Sequence, residues 1–261
     1  HLWMPDLKAF WLPLDHMRGM ASFPRFTISG TPSELTARMS LEMENILTVD
    51  LSAKGFDLES EERSVKLGNL DVAFSGAQVA GMVTEMEVVS PKVAELLRAT
   101  GLVSLIADGE LTMRSFDGNL SLAAAPGKLT FAGAGSMSDK THYDIHASLE
   151  TDGYLDLGVL FPSVGPAGME GKVEAFYTVA GNERHGNAEV ALPRVALKGH
   201  ELTGVGAELT IDNDIAGGRI GVDDRDLALI AEGTVSIDKK NPAVTLTADV
   251  GRICPDRLGL W

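Results

Sequence analysis

Tyr143-Asp144-Ile145-His146-Ala147-Ser148-Leu149-Glu150 decides the fold class, because an apolar side chain stands at every second position with a polar or small one between. Successive strand residues point to opposite faces, so this octapeptide reads as a strand with one oily side. The alternation returns in Val173-Ala175-Tyr177-Val179, Val205-Ala207-Leu209-Ile211 and Val244-Leu246-Ala248-Val250, with mostly Thr, Glu, Asp, Lys and Gly between.

Worked outward from there, alternation and β-branched content predict strands at about 25–30, 35–52, 64–75, 79–89, 102–115, 118–124, 127–134 and 142–151. A second series is predicted at about 171–181, 186–198, 202–212, 217–222, 226–237 and 243–250. Turn chemistry falls at Asp117-Gly118-Asn119, Pro126-Gly127, Asn182-Glu183-Arg184-His185-Gly186, Asp212-Asn213-Asp214 and Lys239-Lys240-Asn241-Pro242. Links this short between consecutive strands imply an antiparallel meander.

Helical signals are few. The clearest is Ser90 to Arg98, with a Ser N-cap, Pro91 at the first helical position, Val93, Leu96 and Leu97 on one face, and Gly101 to end it. Related Leu-containing segments stand at Pro5 to Trp11, Tyr154 to Phe161 and Pro255 to Leu258. The chain therefore reads as one continuous β-rich segment, 1–261, with loose repeats starting near 1, 90, 153 and 254.

Lys and Arg total 22 against 37 Asp and Glu, a net charge of −15, which excludes the basic footprint of a nucleic-acid binder and disfavours anionic membrane surfaces. The one cysteine, Cys254, permits no internal disulfide and reads as a small buried residue. No apolar run approaches the ~20 residues that span a bilayer. The opening His1-Leu2-Trp3 and the closing Leu258-Gly259-Leu260-Trp261 read as the ends of an excised piece of a longer protein.

Catalytic and metal patterns fail one by one. His142 and His146 would share a helix face, but in a strand rising ~3.3 Å per residue they stand roughly 13 Å apart, too far for one ion. Asp212-Asn213-Asp214-Ile215-Ala216-Gly217, with Asp223 beyond, has Ala where a calcium loop needs a ligand, and reads as a hairpin turn. Asp223-Asp224-Arg225-Asp226 reads as a charged turn. Gly133 to Met137 lacks the glycines of a nucleophile elbow, and Gly204 to Leu209 lacks the third glycine of a dinucleotide loop. His200-Glu201 has no second histidine one helical turn on. Asn119-Leu120-Ser121 matches a glycosylation sequon, and Met82, Met86 and Met113 are candidates for an adaptable greasy surface.

The order strand, short Leu-rich segment, glycine, strand runs through His142 to Gly181, Phe23 to Met43 and Gly217 to Leu260, around half the chain. In this succession the sequence resembles the TamB and AsmA-like bacterial envelope proteins, particularly TamB-like chains from the Bacteroidetes. The resemblance implies an elongated all-β antiparallel sheet curled into a taco-like groove with a few short helices. It also implies a place in the periplasm as part of an inner-membrane-anchored protein, phospholipid as cargo, and an outer-membrane partner of the BamA/TamA type met by other parts of the full-length chain. No catalytic residue, metal or cofactor transfers with it.

The expected function is thus a lipid-conduit segment and not an enzyme, carrying acyl chains between the inner and outer membranes. The candidate lining is Tyr143, Ile145, Leu149, Val173, Tyr177, Val179, Leu209, Ile211, Leu229, Val235, Val244, Leu246 and Val250. A fourteen-carbon chain left in water costs about 11 kcal/mol at ~0.8 kcal/mol per CH₂, so a continuous apolar surface has much to offer it. Two other readings stand beside this one: a scaffold or chaperone module offering β-edges to outer-membrane strands, and a compact β-sandwich whose oily face is its core.

Overall fold

A computed structural model of the chain describes residues 25–254 apart from 32, 44–45, 62, 86–88, 199 and 237–242. The strands are β1 (Arg25–Thr31), β2 (Glu34–Met43), β3 (Leu47–Phe56), β4 (Ser64–Ser75), β5 (Leu102–Thr112), β6 (Ser115–Ala124), β7 (Gly127–Asp139) and β8 (His142–Thr151). They continue as β9 (Leu155–Asp156), β10 (Ala167–Ala180), β11 (Glu183–Leu197), β12 (His200–Asp212), β13 (Ile215–Asp223), β14 (Leu227–Ser236) and β15 (Val244–Ile253). Two helices, α1 (Gly76–Glu85) and α2 (Pro91–Ala99), stand between β4 and β5.

All fifteen strands belong to one sheet whose order is the chain order, save that the two-residue β9 lies beside β8 and pairs with β10. Every neighbour is antiparallel and the sheet does not close on itself. At ~4.8 Å between strands it spans roughly 60 Å from β1 to β15. A sandwich needs a second sheet, and among the described residues there is none.

Local chemistry explains most boundaries. Asn213 turns β12 into β13 with φ 53°, a conformation Asn tolerates better than most residues, and its side chain accepts the Arg184 N–H at 3.0 Å. Gly101, at φ 67°, stops α2 where the sequence predicts. Ser90 sits at the N-cap of α2 without a side-chain cap bond, leaving Pro91 and the buried Ala94 to seat that helix.

Five predicted elements are corrected. The stretch 79–89 is not a strand, since residues 76–85 form α1: Val79, Met82 and Val83 recur at helical spacing, and the Thr84 hydroxyl donates to the Ala80 carbonyl at 2.6 Å. The predicted 35–52 strand is two, β2 and β3, joined by a turn that the run of alternation conceals. Asp117-Gly118-Asn119 lies inside β6, where Gly118 faces Gly109 across the ladder. Tyr154 to Phe161 is not helical: it carries β9 and turns, followed by a single 3₁₀ turn at Pro162–Val164. The turn before β11 also falls earlier than predicted, at Gly181-Asn182, with residues 183–186 already paired. Pro5 to Trp11, Met86, Lys239-Lys240-Asn241-Pro242 and Pro255 to Leu258 lie outside the described residues.

Little is fully enclosed. The buried apolar residues gather in two places, one at the helix pair (Met43, Ile46, Ala80, Ala94 and Val103), the other at Leu155 and Ala167, while Val179 is buried at the far end of β10 beside Tyr143. Ala80 and Ala94 are small enough for α1 and α2 to approach closely, and the Gly76 N–H donates to the Gly101 carbonyl at 2.7 Å, closing the excursion onto the ends of β4 and β5. Cys254 is free and half-buried.

Candidate functional site: one apolar face across the sheet

Residues opposed across a ladder share a face, so the register sorts the whole sheet into two sides. Followed strand by strand, one row runs from Phe26 through Met39, Leu51 and Leu70 in the first strands to Ile220, Ala231 and Ala248 in the last, without a polar residue. The next row on that face starts at Ile28 and ends at Leu246. A third starts at Gly30 and ends at Val244.

Every lining residue expected from the sequence falls on this face. Ile145, Tyr177, Ile211, Val235 and Val244 stand in one row, Leu149 and Val173 oppose each other, and so do Tyr143 and Val179. Leu229 opposes Val250, and Leu209 shares a row with Leu246. The rings of Tyr143 and Tyr177 meet with centroids 6.3 Å apart. Val179 is buried, whereas Leu209 is 49 % exposed, Val244 71 % and Leu246 77 %.

The sequence reading missed the other half of the face, on β1 to β7. Phe26, Ile28, Val65, Leu111, Phe116 and Phe131 extend the same rows and are all exposed. The signal was there in Val65-Leu67 and in Leu105-Ala107, but interleaved glycines dilute it. Those glycines serve the surface. The Phe116 ring lies against Gly135, Phe131 reaches Gly133 and Tyr177 covers Gly186, each ring resting where its neighbour has no side chain. At ~6.7 Å between same-face residues along a strand, three rows over this length make an apolar surface on the order of 1000 Å², beyond the few hundred Å² usual for a soluble monomer.

β11 and β12 change phase together, with no shift of register between them. On β11 the apolar positions are even up to Leu192, which opposes Val205; past Pro193 they are odd, with Val195 opposing Leu202. Gly204 stands opposite this break with φ 60°, supplying the left-handed residue that resets β12. Beside it the buried Asp224, 7 % exposed, accepts the Thr203 N–H at 2.9 Å, the Thr203 hydroxyl at 2.8 Å and the Asp226 N–H at 2.8 Å. The Asp226 and Thr203 donors hold its carboxyl below the usual range.

That bond set has a pH signature. A lowered folded-state pKa contributes stability that is complete above the unfolded value near 3.9 and is lost as pH falls through the folded one. Asp224→Asn is expected to cost about 2 kcal/mol at pH 7, with the gap from the parent closing below about pH 4. Urea unfolding of both proteins across that range checks it.

The opposite face is polar. Glu174, Glu189, Glu208, Arg219, Glu232 and Thr247 form one cross-strand row, in which Lys172 reaches Glu174 at 2.7 Å. Lys172 raises no barrier to ionisation there: it lowers the Glu174 pKa, and Glu174 raises its own. A shallow hollow of about 630 Å³ opens on this side around Gly206 and Gly221, bordered by Glu189, Glu208, Arg219 and Asp249. Three further hollows lie on the polar face as well.

The rejected metal and turn readings can be placed. His142 and His146 lie on the polar side of β8, with His142 Nδ1 3.0 Å from Asp139, whose carboxyl is held far down by the Thr141 hydroxyl and His142. His185 pairs with Asp212 at 3.2 Å. No group of three or more His, Cys, Asp or Glu converges as a metal set among the described residues. Met82 lies in α1, and the sulfur of Met113 accepts the Arg63 Nε–H at 3.0 Å. No helix among the described residues is long and apolar enough to cross a membrane. No family model, curated protein or solved structure matches the chain.

Proposed function

We propose that this chain is a segment of a TamB/AsmA-like periplasmic lipid conduit, in which the sheet curls along its length into a taco-like groove and its apolar face carries phospholipid acyl chains. The observation that carries the reading is the unbroken apolar face on an unclosed sheet, with large side chains half-exposed along it. A folded core would have enclosed those side chains; a surface left open to water needs another apolar phase to cover it. Acyl chains fit that need because they are long, flexible and indifferent to side-chain detail, while the polar face stays in water.

The reading assigns the chain no reaction and no cofactor. Transfer between inner and outer membranes, anchoring in the inner membrane and docking to a BamA/TamA-type protein belong to the full-length protein under this proposal. The scaffold reading draws instead on sheet edges that have no partner strand among the described residues.

Organic extraction of the purified, folded protein followed by mass spectrometry separates the two. Co-purifying phospholipid at about one molecule or more per chain is the expected result, since each buried CH₂ contributes ~0.8 kcal/mol. Lipid at background level in folded protein would favour the scaffold.

A further inference from the structure

Charge is almost shut out of the apolar face, and where it enters it is arginine. Followed through the register, Lys54, Lys66, Lys128 and Lys172 all stand on the polar side of their strands. Among the described strand residues a single Lys, Arg, Asp or Glu faces the apolar side: Arg184, directly opposite Val179. Asp139 does not join it, since the register shift after Met137 sets it beside His142 on the polar side.

Arg184 has company. Its row runs back through Val179, Tyr143 and Met137. The Met137 N–H donates to the Arg114 carbonyl at 2.6 Å, which brings Arg114, two residues before Phe116, to the same level. Arg63 follows, two residues before Val65, with its Nε–H donated to the Met113 sulfur at 3.0 Å. All three arginines are exposed, and none has an ion-pair partner among the described residues. Asp144 and Asp212, the strand carboxylates at this level, are turned to the polar side. The row lies along one margin of the sheet, beside the β3–β4, β5–β6, β7–β8 and β10–β11 turns. At the other margin Phe74, Leu129, Val195 and Leu202 close the face, and Lys198 and Arg225 stand in turns.

An arginine at the boundary between an apolar surface and water suits a phosphate. Its stem packs on the apolar rows, while the fork-shaped, weakly hydrated guanidinium bonds two oxygens of one phosphate. In a chain of net charge −15, a phosphate is held only where cations gather and carboxylates are turned away. Length agrees as well. Three same-face steps of ~6.7 Å, roughly 20 Å, lead from the arginine row to Phe131, Leu149 and Val173. Half of the ~30 Å bilayer core is about 15 Å, so an acyl chain that starts within reach of an arginine side chain ends near that row.

We propose that the phosphate groups of the carried lipids lie along this margin on Arg63, Arg114 and Arg184, with the acyl chains running from there toward the other margin. Arg114 and Arg184 stand four strand spacings apart, roughly 20 Å, so each holds a separate lipid. This placement rests on the acyl-carrying role proposed for the face, and adds a preference for phosphate-bearing lipids over uncharged ones with the same chains.

Equilibrium binding of radiolabelled phosphatidylglycerol, and of diacylglycerol with the same acyl chains, to the full chain provides the test. Arg114→Gln/Arg184→Gln is expected to lower phosphatidylglycerol affinity about tenfold and to leave diacylglycerol within about twofold of the parent. Lys198→Gln/Arg225→Gln removes the same charge at the other margin and should change neither. Millimolar inorganic phosphate should not displace the phospholipid, and phosphatidylglycerol with a photoreactive acyl end should label Phe131, Leu149 or Val173. The placement is overturned, with the acyl-carrying role intact, if the two variants bind phosphatidylglycerol equally or if diacylglycerol affinity falls alongside it. Displacement by inorganic phosphate would instead make the row a free-anion site, and an acyl-end label on Tyr143 or Val179 would reverse the direction of the chains. A parent that binds neither lipid would overturn the acyl-carrying role and the placement together.

Discussion

Gly76→Ala is expected to lower the melting temperature by roughly 6–12 °C, while the same change five residues on, Gly81→Ala, raises it slightly. Both glycines lie in α1, so helix propensity favours alanine in each by about 0.5–1 kcal/mol. Space separates them. A methyl on Gly76 would collide with the Leu97 carbonyl and the Thr100 hydroxyl and stand 3.1 Å from the Gly101 carbonyl, whereas one on Gly81 meets nothing within 4 Å. Two of those neighbours are backbone, and the Thr100 hydroxyl is already bonded to Leu97 at 2.7 Å, so α2 must move and the Gly76–Gly101 bond must lengthen. Overpacking of this kind costs about 3 kcal/mol. Hydrogen exchange should show the loosening in α1, α2 and the adjoining ends of β4 and β5, and calorimetry on both variants gives the size. Equal melting temperatures for the two variants would mean that the helix pair is not seated on β4 and β5 as described.

The double variant Leu209→Arg/Ile211→Arg is expected to keep its fold and lose about tenfold or more of its bound phospholipid, because a charge in an acyl environment costs about 2.5–3.5 kcal/mol before snorkelling. Leu209 and Ile211 stand two residues apart on β12, on the same face, and both are already more than a third exposed. Long side chains there can reach water, so the change in stability should stay within about 1 kcal/mol. Thr210 lies between them and faces the other side, with Asn187 and Gly217 as its cross-strand neighbours. Thr210→Arg should therefore leave bound lipid unchanged. The readouts are lipid-to-protein ratio and melting temperature on all three proteins. If Thr210→Arg and the double variant lose lipid equally, the apolar face is not the carrier.

The sequence was most legible where one strand period runs without interruption. β8 was predicted to the residue, because His142 follows a turn and its alternation is clean; the bounds of β4 were met as well, although its apolar positions change phase between Leu67 and Leu70. It was least legible where small residues blur the period. α1 is rich in Ala, Gly and Val, whose helical face and strand alternation differ by only a few positions, and the packing of Ala80 against α2 decided the matter. Gly118 looked like a turn because Asp and Asn flank it, yet it faces Gly109 on one side and Gly133 on the other, and the three glycines make a flat strand interior instead. From Tyr143 onward the candidate residues stand on one side of the sheet, but the first half of that side stayed hidden because the register alone aligns Phe26 with Met39 and Phe131 with Leu149. Asp224 was passed over as a charged turn; only its neighbours in space, Thr203 and Asp226, show that its carboxylate is a clasp.

The chain-order path of the sheet bears on how the protein acquires its structure. Each strand pairs with the one made just before it, so loop closure rarely has to bring distant parts of the polypeptide together, and the entropic barrier to each addition stays small. Contact order is low for an all-β protein, which predicts folding nearer the millisecond end of the β range than the second end. Growth can proceed as a zipper from any early hairpin, and a strand emerging during synthesis already has its template in place. The longest interruption of that sequence is the excursion through α1 and α2, since β5 must wait for twenty-six intervening residues, Gly76 to Gly101, before it can meet β4; a shorter one, residues 152–166, separates β8 from β10. Stopped-flow refolding should show its slow phase there, in the pairing of β4 with β5.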